Sequence, residues 1–332
     1  MNPIFNNKVE KFALGGGQGA RGALQVGLVN NMPDAAMRAT ELQFARLLKE
    51  SSGGLDVQLR LFSLAEIPRG ELARSRMEGF YADAGTLPTA GLDALIVTGA
   101  EPCASDLRTE PFWDALAHVV DWAEIGTISS IFSCLAAHAA VEHVSGIGRQ
   151  KLARKLSGVF TAQKAGDDRL HAGFAARLDV PHSRRNDLSE SALAGHGYRI
   201  LSRLADGGVD SFTRVMPGRS RFVFLQGHPE YGAETLGREY LRDVGRFLRG
   251  ECAEPAVMPE NYFDRATENA LAELSDRAAD PDDLAQYGGV VSGALPLQSW
   301  HGHAVRLFSN WLGLIGEEKM RRQAPERKRL RA

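Results

Sequence analysis

Cys134 is placed as a nucleophile would be. It follows Thr127–Ser133, an apolar run that reads as a strand, and precedes Leu135–Val144, which reads as a helix. A strand-to-helix corner lifts a side chain to the rim of a sheet, where open α/β folds bind ligands. The helix start favours a thiolate through its partial positive charge, and its free amides can hold an oxyanion. The competing reading is a small buried apolar side chain, and it is preferred for Cys103 and Cys252, which sit in loop-like contexts. A second cluster, Gly227-His228-Pro229-Glu230-Tyr231, follows the strand-like Arg221–Leu225. His-x-Glu at a strand end supplies a base and the carboxylate that orients it, the two partners that cysteine catalysis needs. A structural turn carrying a surface histidine competes with that reading.

Further polar groups carry weaker signals. Glu239 and Arg242 are three residues apart on one predicted helix face and read as a surface ion pair. Pro181-His182-Ser183-Arg184 reads as a loop whose guanidinium suits a carboxylate, with a merely solvated loop as the alternative. Gly17-Gln18-Gly19-Ala20-Arg21-Gly22 matches a dinucleotide fingerprint but precedes the first strand, so no helix start would meet the phosphate. His138 with His143, and His301 with His303, lack a third ligand nearby, so no metal site is expected.

The elements that must position these groups alternate. Leu24–Val29, Leu55–Phe62, Leu92–Val97 and Thr127–Ser133 read as strands. Between and after them, helices are predicted from Asp34, as a cap, to Lys49, over Phe112–Ile125 and over Leu135–Val144. This order implies an α/β fold, a mostly parallel sheet with helices on both faces. Tyr198–Leu204, Ser211–Met216 and Arg221–Leu225, separated by Ala205–Gly208 and Pro217–Ser220, add antiparallel strands in the second half. Helices are predicted from Ala233 to Leu248 and from Trp300 to Ile315. The organisation is a flexible glycine-rich arm over 1–22, one domain over 23–316 with a variable, partly mobile segment at 251–298, and a charged, frayed tail over 317–332.

Composition excludes several classes. The chain has 332 residues, with 39 Lys and Arg against 41 Asp and Glu, so no basic excess marks a nucleic-acid partner. Three cysteines cannot make a disulfide framework, which suits a reduced, cytoplasmic protein. No apolar stretch approaches a membrane span or a secretory leader, so no membrane partner is expected.

The segments VNNMPDAAMRATELQFARLL, ALIVTGAEP, SSIFSCLAAHAAV, PHSR, FLQGHPEYGAETLGREYLRDV, PENYF and LFSNWL run in order from about residue 24 to 315. In these the chain resembles the homoserine O-succinyltransferase family. The resemblance implies a class I glutamine amidotransferase-like (flavodoxin-like) fold. It implies that Cys134 takes an acyl group from succinyl-CoA or acetyl-CoA and passes it to the hydroxyl of L-homoserine, a ping-pong O-acyltransferase of methionine biosynthesis. His228 would be the base and Glu230 its orienting partner. Glu239 and Arg242 would build the amino-acid site, and Arg184 would hold the substrate carboxylate. Acyl-CoA enters as co-substrate, with no other cofactor, and a homodimer is compatible with the family.

The chain departs from the family pattern in places. Asp34-Ala35-Ala36 stands where a lysine usually follows Met-Pro, leaving Arg38 as the candidate for that charge. Leu135 replaces a tryptophan, and the chain starts late. In Glu101-Pro102-Cys103-Ala104, Cys103 falls nearest the family's acyl-discriminating position, with Glu101 two residues earlier. A small neutral residue there favours succinyl over acetyl. The rival readings are a serine O-acyltransferase, a glutaminase-like amidotransferase and a non-catalytic binding protein on the same fold.

Overall fold

The computed structural model describes residues 13–14, 22–205, 208–276, 283–294 and 296–329. The rest of the N-terminal arm, with all but Gly22 of the glycine motif, lies outside the described residues, as do Asp206 and Gly207 of one predicted turn. The chain runs β1 (Ala13–Leu14), β2 (Leu24–Val29), α1 (Asp34–Ser51), β3 (Val57–Ser63), α2 (Glu71–Met77), β4 (Tyr81–Asp83), β5 (Ala94–Val97), α3 (Trp113–Gly126), β6 (Ser129–Ser133) and α4 (Leu135–Ser145). It continues through β7 (Gln150–Lys164), β8 (Arg177–Asp187), α5 (Glu190–Gly195), β9 (Arg199–Leu204), β10 (Val209–Arg214), β11 (Arg221–Leu225), α6 (Thr235–Leu248), α7 (Arg265–Ser275), α8 (Leu284–Gly293) and α9 (His301–Arg329).

The described strands form a single sheet in the order β1-β3-β2-β5-β6-β11-β10-β9-β7-β8, with β4 beside β3. From β3 through β11 the pairings are parallel, and from β11 to β8 they are antiparallel. The central parallel strands β2, β5 and β6 are buried almost throughout because helices cover both faces. Along β5, Leu95 and Val97 join α3 and α4 in one core, while Ala94 and Ile96 join α1 and α9 in the other. Phe44 of α1 lies 6.3 Å from Phe308 of α9, and Trp311 donates from Nε1 to Ser129 Oγ at 2.9 Å. The fold class read from the sequence is the one observed.

Four expectations need correction. Asp34 does not cap α1 but is its first residue, after Pro33; its carboxylate accepts from the Gly70 N–H at 2.8 Å. Within 251–298, where the sequence predicts no elements, the described residues include two helices, α7 and α8, packed on α6 through Leu271, Leu274 and Tyr287. Asp264 caps α7 by accepting from Thr267 N–H at 2.7 Å. The tail is not frayed over its described part: α9 runs on past Gly316, held by Arg169–Glu317 and Lys319–Asp93 ion pairs. Finally, Pro181–Arg184 is part of strand β8, not a loop. Proline is tolerated there because β8 is the sheet edge. Among the described residues no helix is long and apolar enough to cross a membrane.

Candidate active site

β6 and β11 are parallel neighbours, with Ser133 opposite Leu225. One residue beyond Ser133 stands Cys134, and three beyond Leu225 stands His228, so the register delivers both to one rim. The Cys134 N–H donates to Leu225 O at 2.7 Å, tying the two strand ends together. Cys134 adopts φ 53° and ψ −114°, a strained conformation for a residue with a Cβ and the mark of a nucleophile elbow. Gly99, in the loop after β5, packs against the start of α4; a Cβ there would sit 2.9 Å from Leu135 Cβ. The first-turn amides of Leu135 and Ala136 have no acceptor one turn back, which leaves them available to an oxyanion beside Cys134.

His228 is buried and anchored on three sides. Its N–H on the backbone donates to Pro181 O at 2.8 Å, Nδ1 donates to Glu230 Oε1 at 2.9 Å, and Tyr231 stacks on the ring at 4.2 Å between centroids. The Cys134 side chain lies close enough to the imidazole for their charges to interact, and both line one cavity. Burial by itself would push His228 down. The charges of Cys134 and Glu230 outweigh it and hold the imidazole well above its usual value. Gly227 before it is required by crowding: a Cβ would meet Val180 at 2.5 Å and Asp210 Oδ1 at 2.9 Å.

These groups open on a cavity of about 820 Å³ whose far wall comes from β7, β8 and α6. Lys155 is buried and its Nζ donates to Asp243 Oδ2 at 2.7 Å, while Arg242 pairs with the same carboxylate at 2.8 Å. The β7–β8 register shifts between Lys151 and Leu156, and such an irregularity re-aims side chains, here turning Lys155 inward. Glu239 accepts from the Tyr231 hydroxyl through Oε1 at 2.8 Å; its Oε2 is buried without a partner. Ser183 also lines the cavity.

The structure thus brings together Cys134, His228, Glu230, Glu239 and Arg242, and Glu101 joins them on the cavity wall, paired with Arg246 at 2.5 Å. Cys103 does not join them: it is exposed and outside the cavity lining. Arg38, the candidate for the missing lysine, pairs with Glu41 at 2.8 Å and is likewise outside that lining. Arg184 reaches the cavity, but its guanidinium is occupied by Asp187 at 3.0 Å, Asn186 O at 2.7 Å, Gln226 Oε1 and His182 Nδ1. It braces the end of β8, and of its five N–H donors only one, on Nη2, is without an acceptor. Sequence reasoning missed Lys155, Ser183 and Arg149, because only the β7–β8 hairpin gives them a common wall.

The profile of the homoserine O-succinyltransferase family matches residues 17–320. The chain belongs to the homoserine O-succinyltransferase family. It is 48% identical over 298 residues to a homoserine O-succinyltransferase of Rhodopseudomonas palustris, covering 89% of each chain. With the homoserine O-succinyltransferase of Bradyrhizobium japonicum it shares 46% over 310 residues, 91% of this chain and 94% of that one. Among solved structures, a glutamine amidotransferase of Thermotoga maritima aligns with TM-score 0.45 and 10% identity over 88% of this chain and 98% of that one.

Proposed function

We propose that this member of the homoserine O-succinyltransferase family moves a succinyl group from succinyl-CoA to the hydroxyl of L-homoserine, through a thioester on Cys134, as a step of methionine biosynthesis. The observation that carries the reading is the convergence of the Cys134 elbow and the His228–Glu230 pair on one wall of a cavity whose other wall holds Lys155, Glu239 and Arg242.

In the first half-reaction the Cys134 sulfur attacks the donor's thioester carbonyl. The amides of Leu135 and Ala136 hold the tetrahedral oxyanion, and His228 gives its proton to the departing CoA sulfur. In the second, His228 takes the proton of the homoserine hydroxyl as that oxygen attacks the acyl-enzyme. The ester forms, the carbon–sulfur bond breaks, and the Cys134 thiolate returns. Glu230 keeps Nδ1–H oriented so that Nε2 makes both transfers. The free Oε2 of Glu239 receives the α-ammonium of homoserine, and Arg242 and Lys155 receive its carboxylate, a charge pattern that suits a zwitterion.

The test is purified protein with succinyl-CoA, with and without homoserine. Release of CoA thiol and a succinyl mass on the Cys134 peptide are expected without acceptor, and O-succinylhomoserine with it. Absence of the adduct under conditions that still give product overturns the covalent route. Product from serine instead of homoserine overturns the acceptor assignment.

A further inference from the structure

The cavity is lined by six lysines and arginines, and five of them have a carboxylate. Lys155 and Arg242 share Asp243, Arg184 has Asp187, Arg185 has Glu254 and Arg246 has Glu101. Arg149 is the exception: among the described residues it makes no ion pair. It stands between α4 and β7, half-buried, and donates through Nη2 alone, to Ala104 O at 3.1 Å and Ser105 O at 3.0 Å. Those two carbonyls follow Cys103 directly, so Arg149 holds the very loop whose sequence departs from the family pattern. Its Nε and Nη1 have no acceptor among the described residues.

The acids around Arg149 are engaged elsewhere. Glu142 and Asp106 pair with Arg108, and Glu110 accepts from Ala104 N–H. Burial outweighs their pull and that of Cys134, and holds the Arg149 guanidinium below its usual range. An arginine without a counter-ion at a cavity wall is a seat for an anion. Arg149 lines the same cavity as Cys134, together with Gly99, Ala100 and Leu135, and the charges of the two residues interact, so that anion belongs to the acyl end of the donor.

We propose that Arg149 reads the terminal carboxylate of the donor acyl group, two methylenes beyond the thioester carbonyl, and so selects a dicarboxylic monothioester over a neutral one. This rests on the succinyl-transfer reading of the same cavity. It makes Arg149 a specificity residue, and it gives the 101–105 loop its part in acyl choice through the arginine it holds rather than through Cys103.

The experiment compares three donors, succinyl-CoA, its terminal methyl ester and acetyl-CoA, on wild type and Arg149→Gln. Acyl-enzyme formation on Cys134 is followed by mass and kcat/KM by thiol release. In wild type, capping the carboxylate is expected to lower kcat/KM roughly ten- to a hundredfold, the range of a charge-assisted bond. In Arg149→Gln that penalty should vanish, and the succinyl-to-acetyl ratio should fall by a similar factor; Arg149→Lys should restore part of it. A wild type that treats succinyl-CoA and its methyl ester alike overturns the proposal. So does a variant that slows all three donors equally, which would make Arg149 a loop anchor only. If the glutamine variant does not fold, the wild-type comparison of acid and ester still decides, with Arg149→Met as the replacement. Wild type that forms no acyl-enzyme with any donor overturns the transfer reading itself; acyl-enzyme formed without discrimination overturns the arginine assignment alone.

Discussion

Cys134 and Lys155 face the same cavity from opposite halves of the sheet, and they are held there differently. Cys134 sits where a parallel strand turns into a helix, pinned by one hydrogen bond to the neighbouring strand. Lys155 sits at an irregularity in a long antiparallel hairpin, held by an ion pair to a helix from much later in the chain. The parallel half fixes the candidate nucleophile through backbone geometry. The antiparallel half fixes charge through side-chain pairs drawn from distant segments. The division suits the proposed chemistry, because a nucleophile serves both half-reactions while the homoserine-binding charges serve one.

The sharpest way to break this division is Cys134→Ser. A hydroxyl at the helix start stays protonated where a thiol ionises, so turnover should fall by at least about a thousandfold with the fold intact. Near-normal turnover would remove the parallel half from the chemistry. His228→Ala should lower kcat by roughly 10²–10⁴, in both half-reactions, with Glu230→Gln acting in the same direction. Stopped-flow measurement of each half-reaction checks it, and a silent His228→Ala across the pH range would name another base.

Arg184→Ala sharpens the comparison from the other side. It leaves Asp187 with only Gln226 Nε2 and the Leu188 N–H and frees Asn186 O, so it should cost about 1–3 kcal/mol of stability in urea unfolding. A variant of wild-type stability with a selectively raised homoserine KM would return Arg184 to substrate binding. The joint between the halves has its own signature in His138, on α4, whose Nε2 meets Gln226 Oε1 at 2.8 Å. Burial pushes His138 down to about 4. The unfolded chain therefore takes up this proton first. The stability that neutral His138 supplies is present above about pH 6.5 and is lost as the pH falls toward 4, roughly 3 kcal/mol in all. His138→Gln should lose correspondingly less stability between pH 6.5 and 4, and an identical acid profile would refute the assignment. The smallest effect expected is that of Glu239→Gln. Homoserine KM should rise about ten- to a hundredfold while the acyl-enzyme forms at its wild-type rate. An equal loss in both half-reactions would show that the two halves do not divide the work.

The parallel half was legible because its signals are local. Leu24–Val29 and Arg221–Leu225 are strands at the residues read from their apolar runs, and the Cys134 corner needed only its two flanks. His228 and Glu230 were legible for the same reason, both lying on one short rigid turn. The β7–β8 hairpin was not. Pro181 breaks the strand pattern, and the register shift between Lys151 and Leu156 breaks its alternation, so neither strand announces itself. Lys155, Ser183 and Arg149 gain meaning only from pairings between residues far apart. Arg184 was read without its partners for that reason too: Asp187 and Gln226 belong to a network that short-range spacing cannot display.

The position of α9 bears on how the chain is made. The apolar face shown by Leu24, Val26, Leu28 and Phe44 is covered by Phe308, Trp311, Leu312 and Ile315, and Lys319 then binds Ala23 O and Asp93. Among the last described elements to be synthesised thus covers one of the first. At roughly 5–20 residues per second, the early strands wait on the order of tens of seconds at the ribosome with one side bare. Until α9 emerges, that bare apolar face is exposed to other chains and to holding chaperones. A message truncated before Trp311 is expected to yield a protein that collects in aggregates, even though every residue of the candidate site had been translated.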